Sequence, residues 1–287
     1  MMEDVQMIKR TMSPEVFINF RDLIYDRSGI FFPENKLYLL EGRLFGRLRE
    51  LSLSGYEEYF SYLESASVQA EELLKIYSLI TINETFFFRN PKQLDIFDKS
   101  LLPEFVKKRS VASHKNMKVW STASSSGEEL YTLAIMLKEY MGADLDNWEI
   151  ELQGTDISKQ MLERAVSATY SHNSFRGKVP QKIMSKYFIK RNDRYSVIPE
   201  IQSMVDFDYL NLKDIDSIKK KRGQDFIFAR NVLIYFDKEM KQRVIAAFHD
   251  ILNPGGYLFL GEAESLHGIS AAFTVEHYPG AFVYRKA

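Results

Sequence analysis

Residues 118–131 read Lys118-Val-Trp-Ser-Thr-Ala-Ser-Ser-Ser-Gly-Glu-Glu-Leu-Tyr131, and the change of pattern inside this stretch decides the fold. Lys118 to Ser121 is a short β-rich run, and Glu128 to Tyr140 is an amphipathic helix. The small residues between them form the turn that joins the two. The same order recurs downstream. Glu149 to Gln153 is a second strand running into Thr155-Asp156, with a helix opening at Ser158. Phe226 to Ala229 is a buried strand, and Lys238 to Leu252 is a helix stopped by Asn253-Pro254-Gly255-Gly256 ahead of a strand at Tyr257 to Leu260. Alternation of this kind builds βαβ units and predicts a doubly wound, mostly parallel α/β sheet. A closing hairpin, Phe273 to His277 and Ala281 to Tyr284, turns at Tyr278-Pro279-Gly280 and gives the sheet an antiparallel edge.

Two segments depart from this pattern. Residues 1–80 read as an all-helical domain, in which Leu37, Leu40, Leu44, Leu48 and Leu51 form one apolar stripe that needs a core to cover it. Lys36, Arg43 and Arg47 follow helical spacing on another face, although the region carries nine basic and thirteen acidic residues. Such a stripe is either a solvated face or a docking surface for an acidic partner helix. Within the 81–287 domain, residues 168–206 form an insertion with a small hairpin, Tyr187 to Lys190 and Tyr195 to Ile198, turning at Asn192-Asp193. Residues 172–198 carry seven basic side chains against one acidic one.

Composition narrows the function classes. A net charge of -1 over 287 residues supplies no global field for nucleic acid or a membrane surface. Cys 0 excludes disulfides, thiolate nucleophiles and cysteine metal sites, and fits a cytoplasmic location. No apolar run reaches the roughly 18 residues that span a bilayer, and Met1 to Thr11 lacks the core of a signal peptide. His114, His172, His249, His267 and His277 show no metal-ligand spacing, so no metal is expected.

The loop Ser121 to Glu129 allows close approach of a ligand, yet has one glycine where the dinucleotide fingerprint has three. Glu128 and Glu129 occupy the first helical turn, where a pyrophosphate would otherwise bind. They would repel phosphate and favour a cation. An adenosine-bearing ligand with a sulfonium or amino group, such as S-adenosylmethionine, suits that charge pattern. The alternative is that both carboxylates only satisfy the helix N-terminus. Asp156, at the next strand end, stands where an acidic side chain accepts from both ribose hydroxyls, with helix capping as the competing role.

Residues 81–91, Thr-Ile-Asn-Glu-Thr-Phe-Phe-Phe-Arg-Asn-Pro, and residues 229–237, Ala-Arg-Asn-Val-Leu-Ile-Tyr-Phe-Asp, resemble the signatures of the CheR family of chemotaxis receptor methyltransferases. Ala123 to Tyr131 and Asn253 to Gly256 are similar to two further family segments, so the resemblance runs in order over nearly the whole chain. It implies S-adenosylmethionine as cofactor, S-adenosylhomocysteine as product, and esterification of glutamate side chains. By position it implies cofactor contacts at Asn83, Thr85, Arg89, Glu129 with or without Glu128, Asp156, Asn211, Leu212, Arg230 and Asn231, and a methyl-transfer site at Arg89 and Tyr235. Phe86, Phe87 and Phe88 are expected to pack. Leu130 stands where the family often has proline, a change of loop rigidity that leaves the ligand chemistry untouched.

The implied substrate is the cytoplasmic helical bundle of chemoreceptors, with Lys36, Arg43 and Arg47 as the docking residues and a monomeric enzyme recruited to receptor arrays through its substrate. A cofactor-binding sensor without turnover and a small-molecule O-methyltransferase are the rival readings. Members of the family that grip a receptor C-terminal pentapeptide resemble one another in a longer, glycine-bearing hairpin loop. Here no glycine lies between Gly177 and Gly223, so tethering by such a peptide is not expected.

Overall fold

A computed structural model describes residues 10–110 and 115–287. The reading of Met1 to Thr11 falls mostly, and that of His114 wholly, outside them. The chain forms two compact units: the described residues up to Ile82 together with Tyr235–Met240, and Asn83–Ile234 with Lys241–Ala287. Among the described residues no helix is long and apolar enough to cross a membrane.

Four helices build the first unit: α1 (Pro14–Ser28), α2 (Leu37–Glu50), α3 (Tyr56–Glu64) and α4 (Ala66–Ile80). Ser13 caps α1, with Pro14 in its first turn and Gly29 at φ 73 ending it. Leu40, Leu44 and Leu48 of the predicted stripe are fully buried, against a core that includes Phe20, Ile24, Tyr56, Tyr59 and Ile76. Tyr235–Met240 joins this unit through an antiparallel bridge between Ile30 and Phe236 and a hydrogen bond from Tyr25 Oη to Asp237 at 2.9 Å. No shift of composition announces that return.

Arg43 and Arg47 of the basic stripe have partners within the fold. Arg47 donates through Nε and Nη2 to both carboxylate oxygens of Glu72, each at 2.8 Å, and through Nη1 to Glu50. Arg43 donates to the carbonyls of Leu79 and Thr81, which the end of α4 leaves without helical partners. Lys36 sits in the short turn ahead of α2, beside the ring of Tyr38. Lys36 thus lies ahead of the helix that carries Arg43 and Arg47, and α4 engages the latter two.

In the second unit the strands are β1 (Asn116–Ser121), β2 (Glu149–Asp156), β3 (Thr169–Ser171), β4 (Phe188–Arg191), β5 (Arg194–Val197), β6 (Val205–Tyr209), β7 (Gln224–Ala229), β8 (Leu252–Leu260), β9 (Phe273–Tyr278) and β10 (Ala281–Lys286). Seven of them form one sheet in the order β6-β2-β1-β7-β8-β10-β9. The first five are mutually parallel, and the β10-β9 hairpin adds the antiparallel edge. The fold is the expected doubly wound sheet, with its topological switch between β1 and β7. Asn253 to Gly256 does not precede a strand as expected. It bulges within β8, between the pairs Gln224–Leu252 and Phe226–Tyr257. The insertion is a three-stranded antiparallel sheet, β3-β5-β4, whose hairpin turns at Asn192-Asp193. Its first strand was not legible in so short a run.

Glu72 is 2% exposed, and Tyr59 Oη donates to it at 2.7 Å. Burial pushes its pKa up, but the bonds from Arg47 and Tyr59 outweigh burial and leave it below the ordinary carboxylate value. The stability it contributes is therefore present above the unfolded pKa of about 4.3 and lost as the pH falls through the lower folded value. Arg47→Ala should lower the unfolding free energy of this unit by about 3 kcal/mol at pH 7, because Glu72 stays buried without its partner. Urea titration of the parent and the variant should show the gap closing below pH 4. A variant as stable as its parent at pH 7 would remove the pair from the account.

Candidate functional site

Ligands of doubly wound sheets bind beyond the carboxyl ends of the strands, at the switch point. Here those ends carry Ser121, Asp156, Tyr209 and Ala229. The turn after β1 is anchored by Thr122 N–H to Phe228 O at 2.9 Å and Ser124 N–H to Thr155 O at 3.0 Å. Ser125 and Gly127 both have positive φ, 48° and 91°. A Cβ on Gly127 would lie 2.8 Å from Phe207 Cζ and 3.0 Å from Ala165 Cβ. Internal packing thus demands glycine there, whatever the loop binds.

Asp156 is buried, and its two oxygens accept from Ser125 N–H at 2.9 Å and Ser158 N–H at 2.8 Å. Ser158 itself caps the helix Lys159–Ser167, so the capping role considered for Asp156 belongs to Ser158. Burial pushes the Asp156 carboxyl up to about 6, against the hydrogen bonds from Ser158, Ser125 and Ile157 that hold it down. Each oxygen keeps a lone pair for a further donor.

The paired glutamates divide. Glu128 is 2% exposed and accepts from Ser126 Oγ at 2.7 Å and from Ser174 Oγ of the insertion at 2.9 Å. Burial raises its pKa. Glu129 is partly exposed, with Ser121 Oγ at 2.7 Å on one oxygen and Arg230 Nη1 at 2.9 Å on the other. Arg230 also donates to Arg89 O at 2.7 Å, while its Nε is buried without a partner among the described residues. A carboxylate beside an orphaned donor is the pairing that an amino-acid group with one ammonium and one carboxylate requires. With Asp156 for a ribose, the residues present fit S-adenosylmethionine.

Residues 83–89 wrap this site. Asn83 O accepts from Ser125 Oγ, and Thr85 is half-buried. Phe87 packs as expected, fully buried among Tyr170, Phe175 and Phe188. Phe86 instead is half-buried, with the guanidinium groups of Arg89 and Arg176 over its ring at 5.6 and 4.5 Å. Arg89 donates to Glu84 O and pairs with no carboxylate among the described residues, so it is not a structural salt bridge. Arg176 pairs with Glu84.

Asn211 closes the turn after β6, its Oδ1 accepting from Lys213 N–H at 3.0 Å, and Leu212 is buried beside it in sequence. Asn231 stands at φ 60 and donates its N–H to Glu264 at 2.7 Å. Tyr235 lies in the first unit, where its hydroxyl accepts from Ile82 N–H at 2.9 Å and donates to Ile82 O at 3.1 Å. Lys36, Arg43 and Arg47 are in that unit also. Arg176 was legible only as one of the basic residues of the insertion and Glu264 not at all, because each is defined by partners far along the chain.

Comparison with known proteins follows the same division. The all-alpha domain of CheR methyltransferases matches residues 15–81, and their SAM binding domain matches residues 83–281. Chemotaxis protein methyltransferase 2 of Vibrio cholerae serotype O1 is 35% identical over 94% of this chain and 92% of its own length. The chemotaxis protein methyltransferases of Escherichia coli K12 and Borreliella burgdorferi are 33% and 32% identical, over 94% and 86% of this chain and 92% and 86% of their own lengths. With both domains matched in order, the chain belongs to the CheR methyltransferase family and is an S-adenosylmethionine-dependent methyltransferase.

Proposed function

We propose that this enzyme esterifies glutamate side chains on the cytoplasmic helical bundle of chemoreceptors. It works in the cytoplasm as a monomer, recruited to receptor arrays through its substrate and not through a C-terminal pentapeptide. The observation that carries this reading is Arg89: a guanidinium fixed on backbone at the site, with no carboxylate of its own among the described residues. An anionic acceptor is what such a cation takes.

When bound, the cofactor supplies an electrophilic methyl group on sulfur. Asp156 accepts from its ribose hydroxyls. Glu129, the partly exposed member of the pair, takes the amino group, while Glu128 is committed to Ser126 and Ser174. Asn83, Thr85, Asn211, Leu212 and Asn231 supply the remaining walls. Arg230 holds Glu129 and the carbonyl of Arg89 together, and Arg89 steers the acceptor carboxylate. A glutamate with a reference pKa of about 4.3 is ionised at neutral pH and needs no general base, so alignment is the chief task. Tyr235, its hydroxyl closed on both polar groups of Ile82, serves by fixing the residue next to Asn83.

Docking falls to Lys36 and to the insertion, where Lys178, Arg191 and Arg194 have no ion pair among the described residues. Arg191 and Arg194 face each other across the hairpin, an unfavourable pairing that an acidic surface relieves. Arg43 and Arg47 hold α2 against α4. The tight two-residue turn at Asn192-Asp193 offers no long loop to grip a peptide.

Asp156→Ala should weaken cofactor binding by about tenfold or more, since a hydrogen bond to a charged group contributes roughly 1.5 to 3 kcal/mol. With its pKa near 6, Asp156 must lose a proton to accept from the ribose, so affinity should fall below pH 6. Calorimetry near pH 6, in buffers of different ionisation enthalpy, should detect a proton released on binding. The cofactor-free fold runs the other way: stability from the protonated carboxyl is full below the unfolded pKa of about 3.9 and is lost as the pH rises through 6. PH-independent affinity between 5 and 8 would overturn the ribose assignment.

Arg89→Ala should lower turnover on receptor fragments by about a hundredfold while changing cofactor affinity little. Radiolabelled methyl transfer with base-labile release checks this, and parental turnover would displace the site. Fragments with and without a C-terminal pentapeptide should be methylated at equal rates. A sharp fall on trimming that tail would contradict tether-free docking.

A further inference from the structure

Glu264 belongs to none of the roles assigned above, yet three backbone donors converge on its carboxylate. It is 6% exposed. Its Oε2 accepts from Asn231 N–H and Gly261 N–H, both at 2.7 Å, and its Oε1 accepts from Ile234 N–H at 3.2 Å. Two of these donors lie on the segment that leaves β7, and the third on the turn that leaves β8. The carboxylate therefore clamps two neighbouring strand ends at the switch-point side of the sheet.

What it clamps is the part of the chain that carries Arg230 and Asn231. Asn231 stands at φ 60, the left-handed conformation that asparagine adopts more readily than other residues with a Cβ. Its N–H donates to Glu264, and that bond ties the turn to the carboxylate. Gly261 completes the fit: a Cβ there would lie 2.7 Å from Glu264 Oε2, 2.8 Å from Asn231 Nδ2 and 2.9 Å from Asn231 N. Only a residue without a side chain lets the two strand ends and the carboxylate approach so closely. At its other end the segment is fixed by Arg230, joined to Glu129 and to Arg89 O.

We propose that Glu264 is a positioning residue of the cofactor site, which sets the backbone of Arg230 to Ile234 so that Asn231 faces the ligand and Arg230 keeps its hold on Glu129. The inference rests on the cofactor contacts proposed for Asn231 and Glu129. Glutamine cannot replace it fully, because its NH2 group faces a backbone donor wherever the carbonyl oxygen is placed.

The test is calorimetric titration of the full chain with S-adenosylhomocysteine, for Glu264→Gln, Glu264→Asp and Gly261→Ala, with Asp225→Asn as control. Asp225 is a buried carboxylate toward the amino ends of the strands, accepting from Lys118 N–H at 3.0 Å and Asn253 Nδ2 at 2.8 Å, and it stands outside the site. Thermal melts fix the folded fraction of each protein. Glu264→Gln and Gly261→Ala should each weaken binding by about tenfold at full folded fraction, and Glu264→Asp should recover part of the loss. Asp225→Asn should lose stability and bind within about twofold of the parent. If Glu264→Gln does not fold, Gly261→Ala reads the same cradle from its other side. Parental affinity in Gly261→Ala and in any folded Glu264→Gln overturns the inference. So does an equal loss in Asp225→Asn, which would mark the effect as general destabilisation. A parent that gives no heat would overturn the cofactor reading itself, and this inference with it.

Discussion

The guanidinium of Arg230, 3% exposed, joins three stretches of chain that lie far apart in sequence: its own strand end, the helix that starts with Glu128, and the segment 83–89. A buried cation of this kind is stable only when its charge and its donors are met, so the position of Arg230 dictates where Glu129 and the carbonyl of Arg89 must stand. Burial lowers the Arg230 pKa while the nearby Glu129 carboxylate opposes that shift. Arg230 gathers Arg89 and Glu129, and Arg89 pairs with no carboxylate among the described residues while Glu129 is only partly covered.

Around this lock the carboxylates sort by what surrounds them. Glu128 is turned inward and bridges the loop to the insertion, and Glu264 is enclosed by backbone donors. Asp156 is the uneasy one. It is enclosed with only backbone N–H groups for company, and its pKa rises toward 6 as a result. A carboxylate whose burial outweighs its backbone hydrogen bonds suits a ligand that brings further donors, because binding then relieves a cost the empty fold carries.

The insertion does more than carry positive charge. Ser174 and Tyr170 bond to the loop around Glu128, Ser174 O accepts from Phe87 N–H, and Arg176 pairs with Glu84. The small sheet therefore braces the segment that carries Asn83, Thr85 and Arg89. The first unit shows the same economy with its basic residues. Arg43 and Arg47, which on a lone helix would be a solvated stripe, are spent on the end of α4 and on Glu72.

Much of this was readable from one strand and one loop. The run from Lys118 to Tyr131 and its repeats specify a parallel sheet because period, turn residues and helix length are local properties of the chain. The segments at 81–91 and 229–237 identify the chemistry, since long ordered motifs carry their own chemical groups with them. Other features depend on partners that sequence distance hides. That Glu129 is partly exposed while Glu128 is buried, that Ser158 caps the helix in place of Asp156, that α4 engages Arg43 and Arg47, and that Glu264 gathers three N–H groups all follow from which groups meet across the fold. Spacing along a chain sets which face a residue occupies. Whether that face meets water, a backbone carbonyl or a buried charge is decided by packing between elements, and only the tertiary structure contains it.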